Sequence, residues 1–111
     1  MGLTMTSYHP DNWVVLKIEI EGNRCYKVLA GWTSKTAYQQ WRINSGIVSC
    51  KQNTTDYVFA SSSSSSYTCS NSSYGISKET AEVYNKLLLQ YRDIVTVMPA
   101  DTNWLTIDWD L

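Results

Sequence analysis

Histidine and charge are both scarce in this chain of 111 residues. His9 is the single histidine, and Asp, Glu, Lys and Arg together make up 17% of the sequence. A lone histidine next to Pro10, nine residues from the start, is a poor general base and reads as part of a disordered arm. The sequence carries no Gly-x-Ser-x-Gly elbow, no Cys–His pairing, no HExxH, no phosphate-binding loop and no dinucleotide fingerprint. We therefore expect a protein that is not an enzyme and takes no cofactor. Cys25, Cys50 and Cys69 are an odd number of cysteines with no CxxC spacing, which argues against a zinc site and for reduced, buried thiols. Nine basic residues against ten acidic ones leave a net charge of −1, so no basic field exists to track DNA or RNA. No apolar run reaches membrane-spanning length, and the polar opening MGLTMTSYHPDN lacks a signal-peptide core. A cytoplasmic setting is expected.

Aromatic side chains and serine are abundant. Five Trp and eight Tyr stand out against the sparse charge, a balance that suggests buried interfaces or stacking sites. The stretch Tyr57–Ser77, YVFASSSSSSYTCSNSSYGIS, holds ten serines, four aromatics and no charge. Hydroxyls and backbone N–H groups suit phosphate or sugar oxygens, and aromatic faces suit a base. A serine tract is also a common self-solvating loop. Here Tyr57–Ala60 and Ser66–Ser70 read as strands, which places the serines at a hairpin tip rather than between domains. Asn53-Thr54-Thr55 and Asn71-Ser72-Ser73 match the glycosylation sequon and read as ordinary polar loops.

From residue 14 the segment Asn12–Glu21 alternates, with Val14, Leu16, Ile18 and Ile20 on one side and Lys17, Glu19 and Glu21 on the other. That is the pattern of a half-buried strand. Gly22-Asn23 suits a tight turn, which would set Glu21 opposite Arg24, Glu19 opposite Tyr26 and Trp13 opposite Trp32. Trp32–Thr36 reads as a small-polar connection. Trp41–Lys51 reads as one strand broken by a bulge at Asn44-Ser45-Gly46. Ser77 is a good N-cap for a helix from Lys78 to about Tyr91, whose apolar face is Ala81, Tyr84, Leu87, Leu88 and Tyr91. Ile94–Met98 reads as a last short strand, followed by the acidic tail Asp101–Leu111. The expected fold is α+β: a five- to six-stranded, mainly antiparallel sheet with one packed helix. Residues 1–11 are expected as a flexible N-terminal arm, and 12–111 as a single domain.

Asp108 and Asp110 have the spacing of paired carboxylates on a strand, but in an acidic tail they read as solvated. The residues suited to binding are Trp32, Trp41, Arg42, Asn44, Ser45, Tyr67 and Tyr74, with Ser65 and Ser66 from the serine hairpin. Trp and Tyr stack on purines, Arg42 offers a planar fork to a phosphate or a guanine edge, and Asn44 both donates to and accepts from a base. The structural alternatives are a core role for Trp41, an Arg42–Asp56 ion pair, and a plain bulge at Asn44-Ser45-Gly46. On these grounds Arg42 is the cleaner mutational probe and Trp41 carries the stability confound.

The blocks NWVVLKI, YKVLAGW, WRINSGI, SSSSSSYTCSNSSYGIS and MPADTNWLTIDW, in that order, resemble a family of small tailed-phage proteins across Asn12–Trp109. Trp41, Arg42, Asn44, Ser45 and Gly46 match its WR-x-NSGI block. Ser61–Ser66 with Tyr67 and Cys69 match its hairpin, and Tyr74-Gly75 its Tyr-Gly pair. Family members carry Gly where this chain has loop serines, Gly where it has Thr33-Ser34-Lys35, and basic residues where it has Ser70 and Asn71. This family resembles the phage sponge proteins that sequester cyclic-nucleotide signals of CBASS, and in some members Thoeris, immunity. The resemblance implies an anti-defence protein of the host cytoplasm that binds a cyclic dinucleotide or related signal without cleaving it. It also implies a homo-oligomer, a dimer or tetramer, whose pockets are completed by more than one subunit. The alternative is a phage inhibitor or adaptor that binds a host protein through its aromatic, low-charge surface, with the acidic tail mimicking nucleic acid.

Overall fold

A computed structural model describes residues 6–33 and 40–109. In chain order its elements are β1 (Thr6–Tyr8), β2 (Asn12–Ile20), β3 (Asn23–Gly31), β4 (Trp41–Ile43), β5 (Ile47–Gln52), β6 (Asp56–Ser61), β7 (Ser65–Ser70), α1 (Lys78–Tyr91) and β8 (Val95–Val97). The fold is α+β, as its pattern predicts, but the eight described strands form two four-stranded sheets rather than one sheet of five or six. The orders are β1-β7-β6-β5 and β4-β3-β2-β8, all antiparallel except the parallel β1–β7 pair. Thr6–Tyr8, within the stretch expected as an arm, pairs with Ser65–Tyr67.

One core lies between the two sheets. Trp13, Val15, Val28 and Ala30 meet Ile47, Phe59, Tyr67 and Cys69 there, and Trp104 of the tail fills the same layer. On the other face of β2 and β3, Val14, Leu16 and Leu29 pack with Val95 against Val83, Tyr84 and Leu87 of α1. The molecule is thus three layers deep, sheet on sheet on helix. This corrects the half-buried reading of β2: Trp13 to Leu16 are buried on both faces, because the β2–β3 hairpin is the middle layer.

The hairpin register differs from the expected one by two residues. Glu21 (φ 51°) and Gly22 (φ 82°) are the turn, so Ile20 pairs with Asn23, Glu19 with Arg24 and Trp13 with Ala30. Two left-handed residues in succession make the primed turn that a two-residue hairpin favours. A shift of two preserves the side of every residue, so the opposite-charge pair survives with Glu19 in place of Glu21. The expected Trp13–Trp32 pair does not form. Trp13 is 1% exposed in the inter-sheet core, where it meets Tyr74 edge-on at 4.6 Å.

The break at Asn44-Ser45-Gly46 is more than a bulge. It is where the chain leaves one sheet for the other, with Gly46 at φ 142°. Ser77 caps α1 as expected, and Thr80 returns the bond: the Ser77 hydroxyl accepts from the Thr80 N–H, and the Thr80 hydroxyl from the Ser77 N–H. Thr80 is fully buried, and Gly31 lets β3 approach it closely. A Cβ at Gly31 would lie 2.9 Å from the Thr80 methyl and 2.5 Å from Asn12 Oδ1. That close approach and the apolar packing of the helix together orient it on the sheet. Its inward face is the buried Thr80 with the half-buried Val83, Tyr84 and Leu87; Tyr84 and Leu87 belong to the expected face, while Tyr91 of that face is exposed.

Candidate functional site

Neighbouring residues on a strand point to opposite faces of the sheet, and this divides the residues suited to binding into two groups. In β4, Trp41 pairs with Gly31 and Ile43 with Leu29, on the helix side; Arg42 pairs with Ala30, on the inter-sheet side. Trp41 and Arg42 are adjacent in sequence yet serve different surfaces.

On the inter-sheet side, Arg42 is braced. Its Nε donates to the Tyr67 hydroxyl at 3.0 Å, and its guanidinium carbon lies 4.6 Å from the centre of the Tyr8 ring. Tyr8 stacks on Tyr67 at 4.9 Å and meets Trp32 edge-on at 6.3 Å, while the Trp32 indole N–H donates to the His9 carbonyl. Burial raises the Tyr67 hydroxyl above its ordinary pKa, a shift the Arg42 hydrogen bond partly opposes. Ser66 is buried with its hydroxyl 3.3 Å from that of Ser7. These residues come together as a packed ladder that holds β1 on β7.

Asn44 is 3% exposed and clamps the two sheets. Its Oδ1 accepts from the Val28 N–H at 3.0 Å, and its Nδ2 donates to the Ser61 hydroxyl at 2.9 Å. The serine tip is similarly self-engaged. Ser45 Oγ accepts from the Ser62 hydroxyl and the Ser63 N–H and donates to the Ser63 hydroxyl, which also lies 3.3 Å from that of the buried Ser65. The Ser62 and Ser64 N–H groups donate to the carbonyls of Gly46 and Ser61. Tyr74 is structural too. Its hydroxyl donates to the Met98 carbonyl and accepts from the Val15 N–H, and burial pushes its pKa up to about 12.

On the helix side, Trp41 is 44% exposed. It stands at the edge of an open groove of about 730 Å³ between β4 and α1, where Gln40, Trp41 and Ile43 face Lys78, Glu82, Lys86 and Gln90, with Val83 and Leu87 beneath. A smaller hollow of about 420 Å³ adjoins it along Gln40–Ile43. The helical wall recurs every four residues, a spacing that stacks side chains on one face. That period was readable in the sequence. What was not readable is that this polar stripe faces β4 across a gap, because that depends on how α1 packs on the β2–β3 hairpin. By sequence Trp41 carries the core alternative and Arg42 is the cleaner probe; the geometry reverses the two. β4 is a three-residue edge strand, so the larger side chain lies in solvent and the arginine against the inter-sheet aromatics.

Cys50 and Cys69 are both held as thiols by burial, which raises the pKa of Cys50 to about 11 and that of Cys69 further. Among the described residues no group of three or more His, Cys, Asp or Glu is placed to hold a metal ion, and no helix is long and apolar enough to cross a membrane. Of the small-polar connection expected at Trp32–Thr36, Ser34, Lys35 and Thr36 lie outside the described residues, as does Asp110. Comparison of the chain with protein-family models, curated proteins and solved structures finds no match.

Proposed function

We propose that this protein binds and sequesters a cyclic nucleotide signal, intact, in the groove between α1 and β4. The observation that carries the reading is Trp41: a large flat ring left 44% exposed, at the mouth of a concave site with Lys78 and Lys86 on the opposite wall. An indole face takes a nucleobase whatever its sequence, and ammonium groups take phosphate oxygens. Catalysis has no part in this reading, so a bound signal returns to solution unchanged when the protein is denatured. The sequence resemblance to phage sponge proteins makes the signal one of CBASS or Thoeris immunity, the setting the host cytoplasm, and the outcome immune evasion.

The test is calorimetry against cyclic di- and trinucleotides and cyclic ADP-ribose isomers. One of them is expected to bind, and Trp41→Ala to weaken it about 5- to 150-fold at an unchanged melting temperature. Ligand recovered in linear or hydrolysed form would make the protein an enzyme. Loss of binding in Arg42→Ala, with Trp41→Ala unaffected, would move the site to the inter-sheet face.

A second reading rests on a different surface. Near the C-terminal end of α1, a shallow hollow of about 660 Å³ lies between Asn85, Leu88, Leu89 and Arg92, and Leu89 is 87% exposed. An apolar patch of this kind favours the adaptor reading, in which the surface meets a host protein. No heat with any nucleotide on the panel would leave that reading in place of the sponge.

A further inference from the structure

Resting on the nucleotide reading above, we infer that Glu82 selects guanine over adenine. The two walls of the groove differ in kind. One is the Trp41 indole with Ile43, and the other is the row Lys78, Glu82, Lys86 and Gln90. Successive members of that row are about 6 Å apart along the helix axis. The inferred pose sets a purine beside Trp41 at the mouth of the groove with its plane across the gap, so that its Watson–Crick edge meets this row. Guanine presents two adjacent donors there, N1–H and N2–H; adenine presents one donor, N6–H, and an acceptor, N1. A carboxylate only accepts. It therefore takes two parallel hydrogen bonds from guanine, and it meets the lone pair of adenine N1 with its own.

Glu82 is available for this role. Its carboxylate lies 3.3 Å from the Lys86 ammonium, with the two side chains 77% and 74% exposed. A helix-surface pair this exposed is weak and screened by salt, so a ligand that supplies both a donor edge and an anion displaces it easily. Lys86 then turns to the phosphate and Glu82 to the base. The pair in the free protein holds an acceptor and a cation side by side on the helical wall of the groove. Against an adenine ligand the same exchange gives Glu82 one donor in place of two, so the adenine ligand forgoes a charge-assisted hydrogen bond that the guanine ligand makes.

The experiment compares cyclic di-GMP with cyclic di-AMP by calorimetry, on the wild-type protein and on Glu82→Gln and Trp41→Ala variants. The inference expects wild type to bind the guanine ligand at least about tenfold more tightly, within the range a bidentate base contact supplies. Glu82→Gln keeps the length of the side chain but turns one acceptor into a donor, so the preference should collapse with adenine affinity unchanged or higher. Equal affinities in wild type, both lowered by Trp41→Ala, would overturn the role of Glu82 and leave the nucleotide reading standing. A guanine preference that survives Glu82→Gln would assign selectivity to another residue and overturn it as well. Binding of neither ligand would overturn the role of Glu82, and the nucleotide reading would fall with it only if the cyclic trinucleotides and cyclic ADP-ribose isomers gave no heat either. Because Glu82 is exposed, its variant should melt with the wild type, and that measurement separates a lost contact from a lost fold.

Discussion

Asn44 and Tyr74 show how a polar side chain suited to a ligand becomes part of the frame. Each holds two partners across separate segments: Asn44 joins Val28 to Ser61, and Tyr74 joins Val15 to Met98. Asn44→Ala leaves a buried N–H and a buried hydroxyl unpaired, and should lower unfolding free energy by about 1–3 kcal/mol in a denaturant titration. Tyr74 makes a prediction at high pH. Its hydroxyl has a pKa raised from 10.0 to about 12 in the folded protein, so the folded state holds a proton that the unfolded state has lost. The stability from that proton is complete below pH 10, falls as pH rises, and is gone above about 12. Tyr74→Phe should weaken the protein at neutral pH and flatten the alkaline part of its stability curve, measured by urea unfolding at stepped pH. An alkaline limb identical in the two proteins would show that Tyr74 is not the titrating group.

At the scale of elements, α1 and the β2–β3 hairpin are fitted together at one close contact. Gly31→Ala places a methyl group 2.5 Å from Asn12 Oδ1, 2.9 Å from the Thr80 methyl and 3.0 Å from Ser77 Oγ. Overpacking of this order costs about 1–3 kcal/mol. The strain falls where the cap sits, so the helix is expected to tilt or fray at its first turn. Thermal melting followed by circular dichroism, beside Ser77→Ala with its cap loss of about 1 kcal/mol, would separate the crowding from the cap. Because the same contact helps to orient the polar row toward β4, Gly31→Ala should also weaken any ligand held in the groove. The helix itself was legible in the sequence, from Ser77 and the run that follows. Its inward face was legible in part: Tyr84 and Leu87 of the expected stripe pack on the hairpin, whereas Thr80 and Val83, outside that stripe, also turn inward and Tyr91 is exposed.

For the whole molecule, the C-terminal segment is a structural element and not a free acidic tail. Trp104 is fully buried against Trp13 and Phe59, and Ile107 and Trp109 pack on the same core. Trp104→Ala should cost about 3–5 kcal/mol and be visible as a large drop in melting temperature. A variant that melts like the wild type would return the segment to the role of a detachable nucleic-acid mimic. The exposed Leu89, with Ile20, Val48 and Leu105 elsewhere on the surface, also bears on assembly. We expect a dimer or tetramer by light scattering at micromolar concentration, shifted toward monomer by Leu89→Glu if that patch is the interface; a monomer mass for the wild type would exclude it.

The sequence by itself determined the elements with local signatures. Alternation marks β2, Gly22 signals the hairpin turn that ends it (at Glu21-Gly22, one residue earlier than Gly22-Asn23), Ser77 starts α1, and the serine tract sits at a hairpin tip. These depend on contacts between residues close along the chain, so they can be read from it. Tertiary structure decided how many sheets those strands make, because the chain crosses at Asn44-Ser45-Gly46 and buries the β2–β3 hairpin on both faces. It also decided which binding residues remain outward. Trp41 and Arg42 are one bond apart in sequence and on opposite faces of a strand, and which face opens to solvent depends on the layer packed over it. The Tyr8–Tyr67 ladder covers the side of Arg42, while α1 stands away from β4 and leaves Trp41 at the mouth of the groove.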